Sequence, residues 1–185
     1  MNRIEWSREL KKGIRANDAA VIMGVNKFKN TVDLYTEKNE NEKNIDVKKD
    51  ALYFELKLEE LVAKEFSLRT GKKIRKDLRS NWDKEYKFMI SNIERKIIGE
   101  NAILDCRVIY NSNKNYFDEE LMDSILIASQ HDMKVKEADV CYVAVLINNE
   151  EFIIKKINRD ETLIVKIIEA EKDFWTNHIE KKINL

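Results

Sequence analysis

Hydrophobic and polar positions follow a strand-like pattern in the run KFMISNIERKIIGENAILDCRVIY, from Lys87 to Tyr110. Two apolar, β-rich arms, Ile93–Ile98 and Ala102–Tyr110, flank Gly99-Glu100-Asn101, whose composition is typical of a hairpin turn. We therefore predict an antiparallel hairpin at this point, and the remaining elements can be placed around it.

Charged residues stand at strand spacing inside this apolar hairpin. Glu94 lies near the start of the first arm, and Asp105 and Arg107 are two residues apart on the second, so their side chains share one face. The other face carries Leu104, Cys106 and Val108. Two acids and a cation in this arrangement are what a metal-dependent nuclease needs. A structural ion pair on a strand face is the alternative, since ion pairs are commoner than active sites.

Helical and extended patterns flank the hairpin on both sides. Upstream, the sequence predicts helices over Ala19–Met23 (capped by Asn17-Asp18), about Thr31–Lys38 and Lys48–Thr70, with a mobile loop over residues 39–47. Downstream, it predicts an acidic loop Phe117–Asp123, an amphipathic helix LMDSILIASQHDMKV, strands Val140–Ile147 and Phe152–Ile157, and a helix from Asp160 to about Lys181. This order predicts an α/β (α+β) fold, a sheet with helices packed against it.

Composition narrows the class of protein. The 185 residues suit one domain, over residues 1–185. Lysine and arginine together number 34, and aspartate and glutamate together also number 34, so the net charge does not indicate a nucleic-acid-binding protein. The two cysteines lie in apolar, strand-like runs, which indicates buried thiols in a reducing compartment. Neither of the two histidines stands at ligand spacing from a cysteine or the other histidine, so we do not expect a zinc enzyme. With no leader and no membrane-spanning run in the sequence, we expect a cytoplasmic protein.

One stretch is locally basic. Residues 69–87 concentrate lysine and arginine, which can follow a phosphate backbone. The solvated edge of a strand, kept from pairing by its lysines, explains the same pattern equally well.

Several segments in order resemble one family almost end to end. The segment GIRANDAAVIMGVNKFKNTVDLYTEK is similar to the family's GIGGSDAAAILG and SPYKSPLELYLEK, and FELKLEELVAKEF is similar to FGTLLEPVVAKEF. NIERKIIGENAILDCRV is similar to NLDGLIVGENAILECKT, and Gln130-His131 fall within the family's QVQHY. The family is that of the YqaJ-type viral recombinases, relatives of phage lambda exonuclease with the restriction-endonuclease-like PD-(D/E)xK fold, a mixed central sheet flanked by helices.

The resemblance implies a Mg²⁺- or Mn²⁺-dependent deoxyribonuclease that processes duplex DNA ends in phage recombination. It also implies a phage or prophage origin in a bacterial host and a homo-oligomer, trimeric in relatives. Position by position, it implies metal ligands at Glu59, Glu94 and Asp105, with Arg107 at the lysine of the ExK motif and Gln130 at the second glutamine of QxQ. For the DNA phosphates, Asn17 and Asp18 match the Ser-Asp of the family's entry motif, and we predict further contacts from the nearby basic residues Arg8, Lys12 and Arg15.

Three departures from the family motif leave two functions open. Glu94 replaces Asp, Asp105 replaces Glu and Arg107 replaces Lys, so each charge keeps its sign while each side chain changes length. A displacement on the order of 1 Å in a site can cost roughly 100-fold in rate, and arginine, unlike lysine, does not give up its proton. The chain is therefore either a weak or altered nuclease, or an inactive nuclease fold that binds DNA or a protein partner, for example as an inhibitor or accessory factor.

Overall fold

The computed structural model describes residues 12–39, 49–77, 79, 81–110 and 119–181. The helices are α1 (Ala16–Ile22), α2 (Thr31–Asn39), α3 (Lys49–Thr70), α4 (Glu119–Lys136) and α5 (Glu161–Phe174), which continues as a π-helical segment Trp175–Glu180. The strands are β1 (Ile14–Arg15), β2 (Ile74–Lys76), β3 (Met89–Ile90), β4 (Arg95–Ile97), β5 (Ala102–Ile109), β6 (Val140–Ile147) and β7 (Glu151–Asn158). None of the described helices is long and apolar enough to cross a bilayer.

A five-stranded mixed sheet forms the centre, in the order β2-β4-β5-β6-β7. Only β5 and β6 pair in parallel; the other neighbours are antiparallel. Helix α4 makes the crossover that a parallel pair requires. The small strands β1 and β3 pair separately and in parallel. This mixed sheet with flanking helices confirms the predicted fold class.

The two faces of the sheet carry different helices. On one face, α3 packs through Val62 and Phe66 against Leu104 of β5 and Ala144 of β6. On the other face, apolar side chains of α4 pack in one cluster with Ile103, Cys141 and Val143. Because neighbouring strand residues point to opposite faces, Asp105 lies on the α4 face together with Ile103. The polar side chains at odd-numbered positions of β5 therefore point toward α4.

The predicted hairpin exists, but its first arm is shorter than expected. Gly99 turns the chain with φ +88°, a left-handed conformation that glycine adopts without steric cost. The ladder pairs Lys96 with Ile103, and β4 covers only three residues. The residues before β4 leave the ladder, so the edge of β5 beyond Leu104 has no strand partner among the described residues. That gap in the sheet edge is where the candidate site lies.

Other boundaries follow the sequence pattern with local corrections. Strand β6 has the predicted limits, and α3 matches within a residue. Helix α1 begins at Ala16, three residues early, because Arg15 and not Asn17 is its N-cap. The predicted acidic loop is wrong at residues 119–123, which form the first turn of α4, whereas residues 40–47 and 117–118 lie outside the described part of the chain.

Candidate active site

A cleft of about 870 Å³ opens along the unpaired edge of β5. Its walls come from the start of α1, the first half of α3, the segment before β4, and α4. It is lined by Arg15, Ala16, Asn17, Phe54, Leu58, Glu59, Asn92, Ile93, Glu94, Arg95, Leu104 to Tyr110, Leu121 and Asp132. We call this space the cleft.

The cleft gathers most of the residues that the resemblance singled out. Glu59 from α3, Glu94 from the segment before β4, and Asp105 and Arg107 from β5 all line it. Arg15 and Asn17 line it as well, from the start of α1. Glu94 comes directly before β4, two residues from the Lys96 that pairs with Ile103, and so reaches the cleft beside the open edge of β5. Residues far apart in sequence are thus brought to one surface by the hairpin and the packing of α3.

Asp105 and Arg107 form an ion pair within the cleft. Arg107 Nε donates to Asp105 Oδ2 at 2.6 Å, and the two side chains are only 13% and 21% exposed for Asp105 and Arg107 respectively. Burial alone would lower the pKa of Arg107, but the Asp105 carboxylate outweighs it and raises that pKa further above its usual value. Arg107 therefore stays a cation and occupies one acceptor of a predicted metal ligand.

Glu59 is also faced by an arginine. Arg95 Nη1 lies 3.8 Å from Glu59 Oε2, and both side chains are partly exposed. The arginine stands where the family's NLDGLIV segment has a glycine, so its guanidinium is an addition to the site of this chain. Glu94, by contrast, is exposed and forms no ion pair with the described residues.

Asp132 of α4 is a cleft residue that the sequence reasoning missed. It is 3% exposed, and its Oδ1 has no hydrogen-bond partner among the described residues. Burial raises the pKa of Asp132 to about 6, and the Asp105 carboxylate acts in the same direction. The helical repeat could have indicated this position, because Asp132 stands seven residues after Ile125 and four after Ala128, and both of those residues lie on the buried face.

Gln130 does not line the cleft in this structure. Its Nε2 donates to the Asn158 carbonyl at 2.8 Å, and its Oε1 accepts from the Asp160 N–H at 2.9 Å. Both polar ends of the amide are therefore used by the connection between β7 and α5. The arrangement gives Gln130 a structural task that the motif alone did not indicate.

The next residue, His131, is fully buried against α5. Its Nδ1 lies 2.7 Å from Glu171 Oε1 and its Nε2 lies 3.2 Å from the Ile90 carbonyl oxygen. Burial disfavours the cation, but the Glu171 carboxylate outweighs it and raises the pKa of His131 to about 9. A proton on each ring nitrogen satisfies both acceptors, which ties α4, α5 and β3 together.

The predicted phosphate contacts divide into two groups. Asp18 is buried, and its Oδ2 accepts from Arg15 Nε at 3.2 Å and from Lys38 Nζ at 2.7 Å. Burial alone would raise the pKa of Asp18, but Lys38 and Arg15 lower it to about 2. Asp18 therefore affects the cleft indirectly: it holds Arg15 in place, and the Arg15 guanidinium also donates to Glu37. Lys12 is exposed and does not line the cleft, and Arg8 lies outside the described residues.

The family model of the YqaJ-like viral recombinase domain matches residues 5–182 of this chain. The chain belongs to that family. The uncharacterized protein YqaJ of Bacillus subtilis (strain 168) is 39% identical over 182 residues, which is 97% of this chain. The chain spans only 57% of the length of that relative.

Two solved structures share the fold of this YqaJ-like chain. An alkaline exonuclease from Laribacter hongkongensis superposes with a TM-score of 0.69 at 14% identity, covering 96% of this chain and 93% of that one. A phage-related exonuclease from Haemophilus somnus 129PT superposes with a TM-score of 0.59 at 16% identity, covering 92% and 96%. Both comparisons support a nuclease-like fold for the YqaJ-like domain.

The donor set of this YqaJ-like cleft suits a hard divalent cation, because its candidate ligands are carboxylate oxygens. Across the described residues, no three Asp, Glu, His or Cys side chains converge as a ready-made metal site. Mg²⁺ is commonly held by one or two carboxylates, with water and phosphate completing its shell. The unpartnered Oδ1 of Asp132 is the one buried acceptor in the cleft without a described partner. The residues therefore fit such an ion through few ligands, not through a closed cage.

Proposed function

We propose that this chain is a metal-dependent deoxyribonuclease that acts on the ends of duplex DNA in phage recombination. The observation that carries the proposal is the convergence of Glu59, Glu94, Asp105 and Arg107 from three separate segments on one cleft. The shared fold with two exonucleases supports it, one of them also crystallised in complex with dAMP. The family membership points to the same class of substrate.

Each cleft residue has a defined task in this proposal. Glu94 and Asp105 are the principal carboxylates for Mg²⁺ or Mn²⁺, with Glu59 beside them, and the ion would activate water and neutralise charge on the scissile phosphate. Arg107 is a permanent cation that neutralises phosphate charge but does not accept or donate a proton. Arg15, oriented by Asp18, and Asn17 are available to a DNA phosphate at the entrance from α1.

A second function has an observation of its own. The Arg107–Asp105 ion pair and the approach of Arg95 to Glu59 place cations against two of the three proposed metal ligands. In an inactive nuclease fold these arginines would substitute for the metal, and the protein would bind DNA or a protein partner. The cleft would then be a binding surface only.

Metal binding separates the two functions. Calorimetry with Mg²⁺ and Mn²⁺ should show heat of binding for the wild type and less heat for Asp105→Asn. If metal binds, the wild type should digest linear but not circular duplex DNA. A wild type without metal heat contradicts the nuclease. Back-substitution of three residues (Glu94→Asp, Asp105→Glu, Arg107→Lys) then tests the scaffold: an inactive native chain with activity restored in the triple variant would show a disabled site in an intact scaffold.

Domain organisation, cellular location and assembly state belong to the same proposal. We propose that residues 1–185 form one domain, that the protein works in the bacterial cytoplasm, and that it assembles as a homo-oligomer around DNA. The trimers implied by the family resemblance support the last point. Sedimentation of the purified chain with and without a duplex end measures it directly.

A further inference from the structure

We propose that Asp132 is a metal-binding carboxylate of the cleft, supplied by α4 and not by the hairpin. This inference rests on the proposed function, since it concerns the same ion. It adds a ligand at a position where the family's QVQHY segment has tyrosine, so the residue belongs to this chain's own version of the site.

Asp132 has one carboxylate oxygen without a hydrogen-bond partner in the described part of the chain. Asp132 is almost fully buried, yet Oδ1 makes no hydrogen bond within the described residues. A buried acceptor without a partner typically costs about 1–3 kcal/mol. Native proteins leave few such groups, and one that faces a cleft points to a missing ligand.

The arginines that line the cleft approach two of its four carboxylates. Arg107 pairs with Asp105, and Arg95 lies closest to Glu59. Glu94 and Asp132 therefore remain as the two lining carboxylates that no arginine or lysine pairs with among the described residues. Lys136 is near both, but its Nζ donates to Asn81 Oδ1 at 2.6 Å. His131 and Arg107 are cations near Asp132, but neither forms an ion pair with it among the described residues. Two carboxylates without an ion-pair partner in one cleft suit a divalent cation.

Asp132 of α4 and the charged pair of β5 line the same cleft from facing elements. Asp105 and Arg107 point toward α4 because they lie on that face of β5, and Asp132 lies on the face of α4 that looks back at the sheet. The guanidinium of Arg107 already holds Asp105 from one side. An ion held by Asp132 and Glu94, with water and phosphate completing its shell, uses the acceptors that the arginines leave open. A site displaced toward α4 also accommodates the altered side-chain lengths at positions 94 and 105.

The test is Mn²⁺ binding by calorimetry on the wild type and three variants. Asp132→Asn keeps the shape and removes the charge, and Asp123→Asn is the matched control, an exposed aspartate on the same helix. Asp105→Asn reports the hairpin ligand. We expect Asp132→Asn to weaken Mn²⁺ at least about tenfold, with Asp123→Asn unchanged. The metal-free melting temperature of Asp132→Asn should stay the same or rise, because an unpaired buried charge has been removed.

The outcomes separate this inference from the proposed function. Unchanged Mn²⁺ affinity in Asp132→Asn, with affinity lost in Asp105→Asn, overturns the inference and leaves the nuclease standing. No Mn²⁺ binding by the wild type overturns both. Should Asp132→Asn fail to fold, Fe²⁺-directed hydroxyl-radical cleavage of the wild-type chain replaces it: we expect cuts in α4 near residue 132 as well as in β5. Cuts confined to β5 contradict the inference.

Discussion

Arg107 donates from Nε to Oδ2 of Asp105 at 2.6 Å, so a permanent cation occupies a carboxylate that the family resemblance assigns to the metal. The two residues are two apart on β5 and share its α4-facing side. Because the pair is largely shielded from water, it is stronger than a surface ion pair and it competes directly with any second cation. We therefore expect the pair to affect both stability and metal affinity.

Replacement of Arg107 by glutamine should separate these two effects. Removing one partner of a shielded ion pair leaves Asp105 without its cation, and we expect the free energy of unfolding to fall by about 1–3 kcal/mol. The same change frees Asp105, so Mn²⁺ should bind at least about tenfold more tightly, since a nearby unit charge is worth several kcal/mol in such surroundings. Denaturant titration and calorimetry measure the two quantities.

The matched control is Arg69→Gln on α3. Arg69 pairs with Glu65 at 2.7 Å across one helical turn, but both side chains are substantially exposed. Such pairs contribute little, so the change should stay within about 0.5 kcal/mol and leave Mn²⁺ affinity alone. Weaker Mn²⁺ binding in Arg107→Gln would mean that Arg107 orients Asp105 for the metal and does not compete with it.

Asp18 should make the protein sensitive to acid. Its pKa is lowered to about 2 from an ordinary value of 3.8, so its contribution to stability is complete above pH 4 and is lost as the pH falls toward 2. A shift of this size corresponds to about 2 kcal/mol at neutral pH. Asp18→Asn should lose that amount at pH 7 and show a flatter acid limb in denaturant titrations between pH 4 and 2. An equally steep limb would assign the acid sensitivity to other carboxylates.

The hairpin and its charged face could be predicted because strand alternation is a local property. Asp105 and Arg107 share a face for the reason the sequence indicates, and β6 has the expected limits because its apolar run is bounded by turn residues. Membership of the family and the mixed sheet followed from the order of motifs along the chain. These parts of the fold depend on neighbouring residues or on segments in fixed order.

The partners of the site residues could not be predicted in the same way. Arg95 reaches Glu59 only because α3 packs across the face of the sheet beside β4. Asp132 becomes a cleft residue because the crossover helix α4 lies against the side of β5 that carries Asp105. Such contacts depend on tertiary packing, and a motif comparison that stops at Gln130-His131 does not reach them.

Gln130→Met tests whether this residue belongs to the site or to the scaffold. The substitution keeps the length of the side chain and removes both hydrogen bonds to the β7–α5 connection. Losing two partly buried hydrogen bonds should cost about 1–3 kcal/mol in total, whereas Mn²⁺ affinity should not change. Unfolding and calorimetry on the same preparation give both values. Unchanged stability with reduced metal affinity would return Gln130 to the active site.

The His131–Glu171 pair should give the protein an alkaline limit. The pKa of His131 is raised to about 9 from 6.5, so its contribution to stability is complete below pH 6.5 and is lost as the pH rises through 9. Both side chains are fully buried, and removing one partner of such a pair typically costs about 3–5 kcal/mol.

Glu171→Gln is therefore expected to destabilise the protein by that amount at pH 6 and by clearly less at pH 9.5. Denaturant titrations at the two pH values measure the difference. His178→Gln is the matched control, because His178 lies in the π-helical segment and is not buried. A loss for Glu171→Gln that is the same at both pH values would show that His131 is neutral in the folded protein, with the shared proton residing on Glu171.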